Sequence, residues 1–269
     1  MAGSEAKTGD LLAPLRSEPS SAAIVSDLDG TLAPIVARPE DAQVPLRPRE
    51  LLAELADRFA LVACVSGRRA ADARSLVGLD ELTYVGNHGF ERLDPGEVEP
   101  TLLPELVDAE AKVERFASKH LDPAEVDAAG LRIEDKGPIR ALHWRGAVAE
   151  AEAEASAREI AAAAEAEGLE ARWGRKVLEL RPPVDVDKGT ALAALLRPAR
   201  LTAALYAGDD RTDLDGFRAL SAMREAGTLS ATVSVGIAAD ESPAEIAAEA
   251  DVVVADPPAF WAILGELAD

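Results

Sequence analysis

Two aspartates two residues apart, Asp27 and Asp29, lie in the stretch "AAIVSDLDGTLAP", directly behind a short apolar run. Such a run reads as a buried strand, and in an open parallel sheet ligands gather beyond the carboxyl ends of the strands. Gly30 permits a sharp turn there, and Thr31 offers a hydroxyl or a backbone N–H to an anion. Two carboxylates leaving one loop together suit different tasks. One can bind metal and attack an electrophile, while the other passes a proton to or from the leaving group. A carboxylate is ionised at neutral pH and needs no base to activate it. It does need a cation, because charge opposes its attack on a phosphate dianion. Mg²⁺ meets that need, favouring carboxylate oxygens together with substrate phosphate. A calcium-binding EF-hand loop does not fit, since Thr31 stands at the fifth position with no glycine after it.

Other expected strand ends carry matching groups. "ALVACVSGRR" ends in Ser66, Gly67 and Arg68, whose hydroxyl and N–H groups suit phosphate oxygens. "PPVDVDKGTAL" sets Lys188 beside Gly189 at the entry to a helix, placed to neutralise a phosphate and hold a nucleophile. "ALYAGDDRTD" puts Asp209 and Asp210 behind a strand, where adjacent acids repel unless a cation or hydrogen-bond donors compensate. That favours a metal site, although Asp210 can also cap a helix. The letters "DLDG" recur at 213–216, but after "GDDRT" and inside the early turns of an expected helix. There Asp213 supports the metal loop and gains from the helix dipole, Asp215 is solvated, and the repeat is coincidental.

These groups need a frame. Strand-like runs at 22–26, 60–66 and 82–87, then at 202–208, 232–237 and 250–255, alternate with helical patterns at 48–58, 69–77, 211–222, 243–248 and 257–267. The rhythm predicts an α/β parallel sheet covered on both faces. The middle differs: a helix at 104–119 precedes strands at 130–135 and 139–145, and a helix at 147–167 precedes strands at 170–174 and 176–182. Helix-strand-strand, twice, is a small α+β unit with its helices on one side. The expected organisation is a flexible leader at 1–20, an α/β core at 21–91 and 185–269, and an α+β insert at 92–184.

Composition narrows the partners. Among 269 residues, 28 basic and 49 acidic side chains leave a net charge of −21. A nucleic-acid surface needs clustered Lys and Arg, and an anionic membrane repels such a chain. The single cysteine, Cys64, sits in an apolar run and reads as core, with no intramolecular disulfide to form. Neither a secretion signal nor a membrane span of about 20 apolar residues is visible. The expectation is a cytoplasmic, monomeric protein with a small-molecule substrate.

In this order and all at strand ends, "DLDGT", "SGR", "DKG" and "GDDRTD" resemble the four motifs of the haloacid dehalogenase superfamily of aspartate-dependent phosphatases. The resemblance implies a Rossmann-like core with an inserted cap that selects substrate. It implies Asp27 as nucleophile, Asp29 as general acid/base, and Ser66 and Lys188 as phosphate ligands. Mg²⁺ would be held by the Asp27 and Asp209 carboxylates and the Asp29 carbonyl, with Asp210 and Asp213 in support. "YVGNHGFE", "IEDKGPIRALHWR" and "GRKVLELRPPVDVDKG" are similar to segments of trehalose-6-phosphate phosphatases, so the resemblance covers nearly the whole chain beyond the leader. It implies Thr31, Gly67, Arg68, Asn87, His88 and Gly89 near the substrate, with Glu134, Lys136, His143, Arg145, Arg175 and Glu179 holding sugar hydroxyls. Alternatives are a phosphatase for another phosphorylated disaccharide or glycosyl compound, a phosphotransferase or mutase, and a phosphosugar-binding sensor without turnover. Against the family pattern, Leu214 replaces an acid, "HWR" replaces "HYR", and "SDLDG" lacks a nearby aromatic.

Overall fold

The computed structural model describes residues 2–36, 41–102, 106–197, 200–239 and 242–269. Its strands, in chain order, begin with β1 (Ala22–Ser26), β2 (Leu61–Val65), β3 (Thr83–Gly86), β4 (Glu91–Leu93) and β5 (Thr101–Leu102). Then come β6 (Arg132–Asp135), β7 (Arg140–His143), β8 (Glu170–Gly174) and β9 (Val177–Arg181), and finally β10 (Ala203–Gly208), β11 (Ala231–Ile237) and β12 (Val252–Val254). The chain divides into one compact unit of Met1–Thr101 with Val186–Asp269, and a second of Leu102–Asp185.

The first unit is built on an eight-stranded sheet in the order β12-β11-β10-β1-β2-β3-β4-β5. From β12 across to β3 every pair is parallel, and β4 returns antiparallel to β3. Its central strands are buried along their whole length, which explains their unbroken apolar sequences. Alternate residues feed two cores. Ala22, Ile24 and Cys64 face one cluster, with the apolar sides of α1 (Ala2–Ser17), α2 (Leu46–Ala56), α3 (Ala70–Val77) and α10 (Pro257–Ala268). Ala23, Val25 and Tyr206 face the other, with α7 (Lys188–Leu195), α8 (Asp213–Glu225) and Ile246 of α9 (Ala244–Glu249). Cys64 is core, as expected, and burial pushes its thiol up to about 12.

The N-terminal segment differs from the expected leader. Met1 lies outside the described residues, Ala2–Ser17 form α1 and Pro19–Ser21 a 3-10 turn, and Leu12 and Leu15 are fully buried in the first cluster. Gly9, Thr8 and Pro14 are poor helix formers, so packing against the sheet, rather than propensity, sustains this helix.

In the second unit, α4 (Val107–His120), α5 (Pro123–Ala128) and α6 (Glu150–Ala166) accompany an antiparallel sheet in the order β6-β7-β9-β8. Positions 104 and 105 of the first predicted helix lie outside the described residues. The short α5 was not expected; Asp122 caps it through the Ala124 and Glu125 N–H groups, ahead of Pro123 at its first turn. Leu142, Leu178 and Leu180 pack with Val113, Phe116 and the buried alanines of α6 to form a separate core. His120 is not the solvated terminator its position suggests. It stacks on Phe116 with centroids 4.5 Å apart, and its Nε2 lies 2.8 Å from Glu167 Oε1. Among the described residues no helix is long and apolar enough to cross a membrane.

Gly216, the last letter of the second "DLDG", has a packing role in the first unit. A Cβ there would lie 2.3 Å from the Tyr206 ring. Gly216→Ala should therefore cost about 1–3 kcal/mol by overpacking, read as a lower melting temperature in a thermal denaturation scan. A melting temperature equal to the parent's would contradict this packing.

Candidate active site

Adjacent parallel strands bring the expected groups to one edge. Ser26, the last residue of β1, is in register with Ala207 of β10 and Cys64 of β2, and the Asp27 N–H donates to the Ala207 carbonyl at 2.8 Å. Asp209 thus follows β10, Asp27 follows β1, Ser66 follows β2 and Asn87 follows β3, side by side at the carboxyl ends. Gly30 has φ of 85°, and a Cβ there would lie 2.1 Å from Asp209 Oδ2. Only glycine lets that carboxylate sit over the aspartate loop.

Lys188 opens α7 from behind a capping box, in which the Asp187 side chain accepts the Thr190 N–H and the Thr190 hydroxyl the Asp187 N–H. Its ammonium is 3% exposed and donates to Asp27 Oδ1 at 2.8 Å and Asp213 Oδ1 at 2.7 Å. Asp210 Oδ1 stands 4.0 Å away. Burial would push the ammonium pKa down; Asp213 and Asp27 outweigh it and raise it well above the ordinary lysine value. Asp213 is fully engaged. Oδ1 also accepts the Tyr206 hydroxyl at 2.5 Å, and Oδ2 accepts the Asp209 and Asp210 N–H groups at 3.0 Å each.

Asp27, Asp209 and Asp213 each place a carboxylate oxygen within 4.8 Å of the other two, and all three are buried. Burial raises the Asp27 pKa well above the usual carboxylate range; Lys188 opposes this while Asp213 and Asp209 add to it. Asp209 is pushed up to about 7 by burial and by Asp213 and Asp210. One lysine does not balance this set. A hard divalent cation fits it, and because Asp213 already accepts four hydrogen bonds, Asp27 and Asp209 are the carboxylates open to that cation.

Other expected contacts fall differently. Thr31 is fully buried, and its hydroxyl donates to Asp209 Oδ1 at 3.3 Å rather than facing a ligand. Arg68 grips Asp29 through both carboxylate oxygens, Nε to Oδ2 at 2.6 Å and Nη2 to Oδ1 at 2.7 Å. The Ser66 hydroxyl accepts the Arg68 N–H at 3.2 Å. Asn87 and His88, both left-handed at φ of 51° and 59°, donate their N–H groups to the Arg68 and Ser66 carbonyls at 2.7 and 2.9 Å. The His88 ring lies against Gly67, and Gly89 packs on Ala191 and Val186. Asp215 is half-buried and faces Arg218 at 3.5 Å, while Leu214 is buried in the second apolar cluster, between the sheet and α7 and α8.

In the second unit, Glu134, Ala141, Glu179 and Arg172 form one row across the sheet through paired positions. Lys136 donates to Glu179 Oε1 at 3.1 Å, and Arg181 also pairs with Glu179. Glu134 meets His143 Nε2 at 2.7 Å, a hydrogen bond that holds its pKa below the usual carboxylate range despite burial. Arg145 and Arg175 belong to the opposite end of the sheet, where Arg145 donates to the Arg175 carbonyl at 3.3 Å. Trp144 packs inward, edge-on to Trp173. The structure therefore gathers Lys136, Glu179, Glu134 and His143 on one polar face and sets the two arginines apart from the hairpin that carries Lys136.

Sequence reasoning missed two residues at this edge of the sheet. Tyr206, a hydroxyl inside an otherwise apolar strand, fixes Asp213. Glu91, which follows "NHGF", is buried on β4 and accepts the Ala70 N–H, capping α3 from outside that helix. An acid among strand residues was the available signal in the second case.

The chain is 37% identical over 207 residues to a Mycobacterium tuberculosis protein named "uncharacterized glycosyl hydrolase", covering 74% of this chain but only 15% of that protein. It is 32% identical over 258 residues to trehalose 6-phosphate phosphatase RA3 of Zea mays, covering 90% of this chain and 68% of that one. A solved "trehalose-6-phosphate phosphatase related protein" superposes with a TM-score of 0.70 at 26% identity, over 91% of this chain and 96% of its own. The fold is that of haloacid dehalogenase-like hydrolases, another of which aligns over 91% of this chain with a TM-score of 0.61. A family model described as trehalose-phosphatase matches residues 25–251, from the first motif past the fourth, and by that match the chain belongs to the trehalose-phosphatase family.

Proposed function

We propose that this chain hydrolyses trehalose 6-phosphate to trehalose and phosphate, with Mg²⁺ as cofactor and Asp27 as nucleophile. The observation that carries the reading is the buried ammonium of Lys188 between Asp27 and Asp213, beside Asp209, in a member of the trehalose-phosphatase family. Mg²⁺ held by Asp27 and Asp209 would draw negative charge off the phosphate and keep both carboxylates ionised. Lys188 fixes one Asp27 oxygen. The carboxylate attacks phosphorus, the bond to the sugar oxygen breaks, and Asp29 gives that oxygen the proton it took from water in the preceding turnover. Asp29 then takes a proton from water as the water attacks the phosphorus of the aspartyl phosphate, which frees phosphate and restores the Asp27 carboxylate. Ser66 and Lys188 supply the phosphate's hydrogen bonds. The polar face of the second unit, with Glu134, Lys136, His143 and Glu179 on strands or their hairpin, offers fixed donors and acceptors suited to sugar hydroxyls.

Phosphate release across a panel of sugar phosphates, with Mg²⁺ and with chelator, tests this reading. Trehalose 6-phosphate is expected to be the preferred ester, and chelation to abolish turnover. Preference for another phosphorylated disaccharide would overturn the substrate; a phosphorylated sugar product in place of free phosphate would favour phosphotransfer; binding without turnover would favour a sensor.

The crowded acids also set a stability signature. Asp209 has a folded pKa of about 7 against an ordinary value of 3.8, so the folded state binds the extra proton between those values. Metal-free stability therefore falls as pH rises through that window, and the penalty is complete above it. Asp209→Asn should melt higher than the parent in chelator at pH ~8, by at least ~2 °C, and should lose most of the parent's gain on adding Mg²⁺. An unchanged metal-free melting temperature together with a full Mg²⁺ gain would contradict the assignment of Asp209.

A further inference from the structure

We propose that Arg68 serves the reaction by positioning the Asp29 carboxylate, and does not bind the substrate's phosphate. The inference rests on the reading above, in which Asp29 moves the protons. Both Asp29 oxygens face the guanidinium fork, at 2.6 and 2.7 Å, a planar two-point pairing that fixes the orientation of a carboxylate as well as its place. The site has a second cation, Lys188, and that one is buried against Asp27. The two cations divide the two aspartates of the loop between them. Asp29 is 42% exposed and Asp27 5%, so the arginine-held acid stands on the open side of the loop and the lysine-held one beneath it.

The backbone that delivers Arg68 is held from three directions. Its N–H donates to the Ser66 hydroxyl, its carbonyl accepts the Asn87 N–H at 2.7 Å, and two residues on, the Ala70 N–H donates to the buried Glu91. The Ser66 carbonyl accepts the His88 N–H at 2.9 Å. Asn87 and His88 reach these carbonyls only by taking left-handed backbone angles, which non-glycine residues adopt where surrounding structure enforces them. "NHGFE", expected to lie near the sugar, thus works as a clasp on the Ser66–Arg68 loop, and Arg68 carries that rigidity across to Asp29. An arginine whose task was to follow a mobile phosphate would gain little from so fixed a base.

The test is a double-mutant cycle of Arg68→Ala and Asp29→Asn on the phosphate ester that the parent turns over fastest. Arg68→Ala alone is expected to lower kcat about 10- to 100-fold with KM within about twofold, because a displaced proton carrier slows chemistry and leaves ground-state binding alone. In the Asp29→Asn background the same substitution should cost less than about threefold, since its object is gone. Arg68→Lys, which keeps the charge without the fork, should recover only part of the loss. A raised KM with kcat retained, or an equal cost in both backgrounds, would overturn the proposal and make Arg68 a phosphate ligand. Should Arg68→Ala not fold, Arg68→Lys and Arg68→Gln carry the same cycle. The ester panel on the parent judges the trehalose reading separately, and a parent that turns over no ester overturns both.

Discussion

A buried ammonium is tolerable only where its charge is matched, and Lys188 is matched by two carboxylates within 2.8 Å. Taking out one partner of such a set typically costs about 3–5 kcal/mol, because the remaining charge is stranded. Much of the first unit is arranged around this contact. Asp27 comes from the end of β1 and Asp213 from the first turn of α8, while Lys188 comes from the first turn of α7. Those three positions are 27, 188 and 213, so the contact ties the two ends of the sequence across the sheet. Asp213 extends the tie by accepting the N–H groups of Asp209 and Asp210, which shapes the loop that carries the second open carboxylate.

The same arrangement is costly when no cation is present. The carboxylates of Asp27, Asp209 and Asp213 share a space within 4.8 Å, and burial together with repulsion from neighbouring acids, Asp210 among them, raises all three pKa values. The fold bears this cost because the surrounding frame is stiff. The strands are buried on both faces, Gly30 makes room for the Asp209 carboxylate, and Tyr206 fixes Asp213 from within β10. Perturbed acids at strand ends are the expected signature of a site tuned for chemistry rather than for stability. The charges that lead in setting those pKa values are local, namely Lys188 and the neighbouring acids.

How much of this is legible in sequence depends on how far apart the partners lie. Apolar runs ending in "SDLDG", "SGR" and "GDD" announce both the parallel sheet and its reactive edge, because strand ends are local features. Helix α1 was not legible, since Pro14 and its weak helix formers hide a segment that Leu12 and Leu15, with the partly buried Leu11, anchor to the core. The pairing of Arg68 with Asp29 spans 39 residues, and no spacing rule reveals it. The second "DLDG" shows the limit in both directions. As a copy of the first it is indeed coincidental, yet Asp213 proves to be the site's most heavily hydrogen-bonded carboxylate, Leu214 packs in the core and Gly216 clears the Tyr206 ring. Identical letters carry different duties because one set follows a strand and the other opens a helix.

In the proposed reaction Asp27, held by Lys188, supplies the oxygen that attacks phosphorus. The direct measurement is chemical trapping: the enzyme turning over trehalose 6-phosphate with Mg²⁺ is quenched in acid, reduced with borohydride and mapped by peptide mass spectrometry. An aspartyl phosphate is reduced to homoserine, so the account predicts that conversion at Asp27 alone, dependent on both substrate and Mg²⁺. Conversion at Asp29 or Asp209 instead, or steady turnover with no reducible aspartate, would contradict it.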